Sequence, residues 1–305
     1  MPPAVVALFG PTGVGKTAVA IELAALLRAR GEDPVAISAD ALQVYEGLEI
    51  LTGAATADEQ SRLEHRLIGF VPLTSSYSVG EYAPRAHAEI DAARAAGRRP
   101  LVLGGTGLYL RAALAELDLA PPPPGELRDR LSREATSRGV QALWSELNER
   151  APATAAKVHP ADRSRIIRKL ELLELGEERD RSGASQLWTT ETRVPTLLFG
   201  LMRDRAELDE RIGRRVDAMV AAGAVEEVRR ADAAGASPTA RKALGFAELL
   251  ANDPEAMKRR TRNYAKRQVT WMRKLPNVVE IDVTRRTPAA VAAEVDGLLD
   301  AAAGR

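Results

Sequence analysis

The octapeptide Gly10-Pro11-Thr12-Gly13-Val14-Gly15-Lys16-Thr17 carries the clearest chemistry in this sequence. It satisfies G-x-x-x-x-G-K-[ST]: glycines let successive backbone N–H groups close on an anion, the lysine adds a mobile point charge, and the threonine hydroxyl is placed to ligate Mg2+. An apolar run over residues 5–10 precedes it, and an Ala/Leu-rich helical pattern over 17–30 follows. The loop therefore stands between a buried strand and a helix N-terminus, where the helix dipole also favours negative charge. Such a loop announces a diphosphate or triphosphate and leaves the reaction open.

Asp40 is the next candidate. It follows the apolar run over residues 34–39, so in a parallel sheet it emerges at the same carboxyl edge as the phosphate loop. A carboxylate there can bind magnesium, cap a following helix or accept a proton. A third strand pattern, residues 99–104, ends in Gly104-Gly105-Thr106-Gly107 instead of the acidic residue that P-loop kinases and switch ATPases place at a strand end. By itself the Thr106 segment reads as a tight strand-end turn.

The elements that must position these groups alternate strand and helix, which predicts an α/β fold: a P-loop parallel sheet flanked by helices on both faces. Four prolines, 121–124, mark a junction, and residues 126–176 carry helical patterns broken at Gly139, Pro152 and Pro160, with little strand signal until 194–201. The expected organisation is a catalytic core of residues 1–118 and 190–305 with an inserted all-helical subdomain, 119–189. Helices are predicted over 205–222, 224–234, 240–250 and 254–275, then a strand over 278–283 and a final alanine-rich helix. Within 257–274, Arg260, Arg267 and Lys274 recur every seven residues beside a line of Tyr264 and Trp271, a basic ridge next to an aromatic seam that reads as core.

Size and composition set the outer limits. The 305 residues exceed what one core comfortably fills, and 45% hydrophobic with 28% charged residues describes a globular chain. With no cysteine, disulfides, thiolate zinc sites and cysteine nucleophiles are excluded, and neither a targeting segment nor an 18-residue apolar stretch is found, so a cytoplasmic protein with no membrane association, a monomer, is expected. Lys+Arg (43) and Asp+Glu (42) nearly cancel, so only their distribution can steer a polyanion: basic residues gather over 163–169 and 257–274.

The ordered set of segments resembles the bacterial tRNA dimethylallyltransferase family over almost the whole chain. The phosphate loop, Ser38-Ala39-Asp40 with Gln43-Val44-Tyr45, Tyr77-Ser78-Val79, Gly104-Gly105-Thr106-Gly107-Leu108-Tyr109, Arg211-Ile212 through Arg215-Val216-Asp217, and the run from Thr261 to Gln268 carry the resemblance. It implies transfer of a dimethylallyl group from dimethylallyl diphosphate to the exocyclic amine of the adenine beside the anticodon (position 37), with diphosphate as leaving group and no nucleotide hydrolysed. It implies that residues 10–17 with Mg2+ on Thr17 hold the diphosphate, that Asp40 takes the amine proton, that Thr106 stands at the mouth of a reaction channel, and that Arg211 or Arg215, with Arg215 preferred, reaches the diphosphate. Ala41, Leu42, Gln43, Arg128, Asp162, Arg163, Arg165 and Arg168 occupy positions resembling tRNA contacts, and the insertion is the expected clamp on the anticodon stem-loop. The chain departs from the family pattern at Ala41-Leu42, where Ser-Arg is usual, at Ile50-Leu51-Thr52-Gly53, where Ile-Gly-Thr-Ala-Lys is common, and at residues 64–69, where paired histidines and an acidic residue are usual. These departures bear on reading the bases around the target. The rival readings are an adenylate isopentenyltransferase, against which the insertion argues, an ATP-dependent P-loop small-molecule kinase, and a noncatalytic RNA-binding NTPase.

Overall fold

A computed structural model describes residues 3–120, 124–177 and 186–303. The chain divides into two compact units, Met1–Leu117 with Gln186–Arg305, and Asp118–Ser185. Three of the four junction prolines, 121–123, lie outside the described residues. The first unit opens with β1 (Val5–Phe9), α1 (Lys16–Ala29), β2 (Pro34–Ala39), α2 (Glu49–Thr52), α3 (Ala57–Arg62), β3 (His65–Arg66), α4 (Val79–Ala95), β4 (Arg99–Gly104) and α5 (Gly107–Leu114). The second unit holds α6 (Gly125–Ser137), α7 (Val140–Arg150), α8 (Pro152–Ala155) and α9 (Arg163–Glu174). The first unit resumes with a 3₁₀ turn (Gln186–Trp188), β5 (Thr196–Met202), α10 (Arg205–Ala221), α11 (Ala224–Ala233), a 3₁₀ turn (Ala240–Lys242), α12 (Phe246–Leu250), α13 (Pro254–Met272), β6 (Val279–Asp282) and α14 (Pro288–Ala303).

The six strands form one parallel sheet in the order β3-β2-β4-β1-β5-β6. Every residue of β1 and β2 is buried, the near-continuous apolar signature of strands covered on both faces. One core gathers Leu8, Leu23, Leu27, Phe199, Val291 and Val295 from the sheet, α1 and α14. Another joins Tyr45, Leu48, Val216, Val228, Phe246 and Met257 from the segment after β2 and helices α10 to α13. The helix expected over 240–250 is instead a 3₁₀ turn and the short α12, because Gly245 takes a left-handed backbone (φ +96°) that no α-helix continues through. Ser78 starts α4 through a capping box with Glu81.

In the second unit, Leu131, Leu143, Leu147, Ile166 and Leu170 make a separate small core. Among the described residues no helix is long and apolar enough to cross a membrane.

Candidate active site

Parallel register brings four strand ends to one edge. Phe9 pairs with Gly104 and with Gly200, and Ala39 pairs with Gly104, so the residues that follow β1, β2, β4 and β5 emerge together. They are the phosphate loop, Asp40, Gly105-Thr106 and Arg203. A cavity of about 710 Å³ opens there, and Lys16, Thr17, Asp40, Arg211, Arg215 and Tyr264 are among its walls.

The phosphate loop owes its path to glycine. Gly13 (φ +81°) and Gly15 (φ +110°) both take left-handed backbone, and Gly15 is the N-cap of α1 without a side-chain cap, which leaves the amides of the first helical turn for an anion. Lys16 Nζ donates to Gly10 O at 2.8 Å and to Pro11 O at 3.2 Å. Crowding by protein atoms pulls its pKa down to about 8; Asp40 opposes that shift and Arg215 adds to it.

Asp40 Oδ1 accepts the Leu42 amide at 2.9 Å and the Gln43 amide at 3.4 Å, so the carboxylate caps the turn that follows β2. No protein donor reaches Oδ2 among the described residues, and the side chain lines the cavity; the capping and proton-accepting readings therefore fall on different oxygens of one group. Leu42 packs its side chain on the core around Tyr45 and Phe246. Gln43 accepts from Ser38 Oγ at 2.9 Å and donates to Gly53 O at 3.2 Å. Ala41 is partly exposed beside them.

Both candidate arginines of α10 line the cavity and are held differently. Arg211 Nε donates to Gly13 O of the phosphate loop at 3.0 Å, while Arg215 Nη2 donates to Gly53 O at 3.3 Å and lies within electrostatic reach of Lys16 and Asp40. Burial lowers the pKa of each. Thr106 Oγ1 is 3.3 Å from Tyr264 Oη, whose pKa burial lifts to about 12.

Gln268 carries no distinct signature in the sequence beyond closing the run from Thr261, and its role becomes plain in three dimensions. Its Oε1 accepts the Thr12 amide at 2.9 Å and its Nε2 donates to Gly105 O at 2.7 Å, so one buried amide ties the phosphate loop to the Thr106 turn. Helical spacing holds the signal that could have found it: Met257, Thr261, Ala265, Gln268 and Met272 form the buried stripe of α13, and a glutamine on such a stripe needs partners. The aromatic seam divides. Tyr264 faces the cavity, whereas Trp271 packs on Gly107, where an added Cβ would stand 2.1 Å from the ring, and on Trp188. Of the basic ridge, Arg260 pairs with Glu248, Arg267 lies over Tyr264 and Lys274 over Trp188.

In the second unit the five candidate residues have distinct surroundings. Arg128 binds Glu171 through Nε (2.6 Å) and Nη2 (2.8 Å), and Arg168 Nη1 reaches the same wholly buried carboxylate at 3.1 Å. Arg163 donates to Ser132 O and Thr136 Oγ1 of α6. Asp162 is the N-cap of α9, and Arg165, 73% exposed, pairs with it at 3.4 Å.

The family model described as IPP transferase matches residues 43–275, and that of isopentenyl transferase matches residues 3–75. The chain is 38% identical over 315 residues to the tRNA dimethylallyltransferase of Limosilactobacillus fermentum, covering 97% of this chain and 98% of the relative. It is 38% identical over 285 residues to that of Thermobifida fusca, covering 90% and 88%. The tRNA isopentenylpyrophosphate transferase structure from Bacillus halodurans is similar with a TM-score of 0.68 at 32% identity, over 97% of each chain.

Proposed function

Because the chain belongs to the IPP transferase family, we propose that it transfers a dimethylallyl group from dimethylallyl diphosphate to N6 of the adenine at position 37 of tRNA, releasing diphosphate. One observation carries the reading. Asp40 shares a cavity with the phosphate loop, while β4 ends in Gly104-Gly105, without the strand-end carboxylate an ATP-hydrolysing site would use.

In the proposed reaction the N6 lone pair forms a bond to the first carbon of the dimethylallyl group as its C–O bond to diphosphate breaks. The N6 proton passes to Asp40 Oδ2, and the electron pair of the broken bond leaves on the diphosphate. Loop amides, Lys16 and Arg215 meet the charge that grows on that leaving group. Arg211, braced on Gly13 O, supports the loop.

The oxygen donors here suit Mg2+, which keeps several waters and binds through few protein ligands plus phosphate oxygens. Among the described residues no group of three His, Asp or Glu side chains is arranged to hold a metal alone. Thr17 would hold the ion jointly with the diphosphate. When bound, it would supply charge neutralisation to the leaving group.

A target adenine must leave its loop stack to reach Asp40, which makes capture of the anticodon stem-loop part of the reaction. The proposed RNA-binding residues are Ala41, Leu42 and Gln43 beside Asp40, and Arg128, Asp162, Arg163, Arg165 and Arg168 on the helical insertion; Thr106, beside Tyr264, is proposed as a second catalytic residue, its hydroxyl toward the target nucleotide. The test is incubation of an unmodified anticodon stem-loop with dimethylallyl diphosphate or with ATP. Prenylated adenine formed without ATP is expected; ATP-dependent phosphorylation with no prenyl product would reject the proposal.

A further inference from the structure

Gly53, just past α2, offers one carbonyl to two arms of the cavity. Arg215 Nη2 donates to it at 3.3 Å and Gln43 Nε2 at 3.2 Å. The first arm belongs to the proposed diphosphate side, the second to the turn that Asp40 caps. The crowding at Gly53 is severe: φ is +58°, and an added Cβ would stand 1.8 Å from Arg215 Nη2. Where this carbonyl lies therefore fixes where both side chains start.

Four helical residues cannot hold that position by themselves, since so short a helix leaves most of its terminal amides unpaired. Glu227 of α11 supplies the anchor. Its carboxylate, 4% exposed, accepts the Ile50 amide at 2.9 Å on Oε1 and the Leu51 amide at 2.7 Å on Oε2. Both oxygens thus grip the first turn of α2, and α2 ends at Gly53. Two bonds to the two oxygens of one carboxyl group fix a segment in direction as well as place. Glu227 does not line the cavity.

We propose that Glu227 is a positioning residue for the transfer reaction, acting through α2 and the Gly53 carbonyl to hold Arg215 toward the diphosphate and Gln43 toward the target base. The proposal rests on the prenyl-transfer reading. Its primary assay is accordingly calorimetric binding of inorganic diphosphate with Mg2+, which needs no transfer: wild-type protein that binds diphosphate yet makes no prenyl product sinks the reading and leaves this test intact.

Glu227→Gln keeps the size of the side chain but offers a single acceptor to two amides. Diphosphate affinity is expected to fall about tenfold, and KM for dimethylallyl diphosphate to rise by a similar factor while kcat drops less. In an Arg215→Gln background the same change is expected to add less than about twofold, because the arm it positions is already absent. Glu227→Asp, which draws the carboxylate back from both amides, is the second variant, with the same direction expected. Unchanged diphosphate affinity in folded variants, full additivity with Arg215→Gln, or loss of the folded state in both variants would each overturn the proposal, the last by making Glu227 a residue of stability alone.

Discussion

Asp40 and Lys16 show how a single side chain acquires two duties. The amides of Leu42 and Gln43 hold Asp40 Oδ1, which fixes the carboxylate and leaves Oδ2 for the proposed proton transfer. Asp40→Asn keeps a carbonyl oxygen for those amides but removes the base. Single-turnover rates should fall by about 10²–10⁴-fold with little change in diphosphate affinity; an equal loss in both would assign Asp40 to binding. Lys16 is held by Gly10 O and Pro11 O, yet crowding draws its pKa down to about 8. Diphosphate affinity of the free protein should therefore weaken as pH rises through 8, followed by calorimetry. Stability moves the other way. The folded pKa lies below the unfolded 10.5, so between these values the unfolded chain binds more protons and the contribution of this group to stability rises with pH. Lys16→Met should accordingly melt higher than the wild type at pH 7, with the gap narrowing toward pH 10.

At the scale of elements, the site is assembled by helix-to-loop braces as much as by strand ends. α13 reaches the phosphate loop and the Thr106 turn through Gln268, α10 reaches the same loop through Arg211, and α11 reaches α2 through Glu227. Gln268→Leu would leave the Thr12 amide and the Gly105 carbonyl without their partner. A cost of about 1–3 kcal/mol in chemical unfolding is expected, since stranded buried polar groups lose their full solvation. The same variant should raise KM for dimethylallyl diphosphate; unchanged stability and KM would remove the brace from the site. These braces mark the limit of what the sequence makes legible. The phosphate loop, β1, β2 and Asp40 declare themselves because glycine spacing and apolar runs are local. Gln268 meets Thr12 across 256 positions and Glu227 meets Leu51 across 176, and no local pattern encodes such a pairing. The unbroken helix expected over 240–250 misled because its apolar periodicity is sound but does not reveal that Gly245 takes a left-handed backbone, which ends the 3₁₀ turn and starts α12 afresh.

At the scale of the whole molecule, a formal charge of +1 gives no general attraction to RNA, so any electrostatic capture must come from where the arginines sit. The α/β alternation is readable because it rests on periodicity, whereas the partner of each arginine is not. That distinction decides which charges test RNA capture. Removing Arg128 or Arg168 would strip one of two guanidinium partners from the wholly buried Glu171, so weaker binding there would mix any lost RNA contact with loss of stability in the second unit. Arg163 and Arg165 are cleaner probes. Among the described residues Arg163 bonds only neutral oxygens of α6, and Arg165 is largely in solvent. The double variant Arg163→Gln with Arg165→Gln should leave thermal melting nearly unchanged. If both side chains neutralise loop phosphates, the slope of log K against log salt for an anticodon stem-loop should become shallower by about 1.4, which is roughly 0.7 for each phosphate no longer neutralised. An unchanged slope at full stability would show that RNA capture does not run through these two arginines of α9, and would return the role to the residues around the cavity.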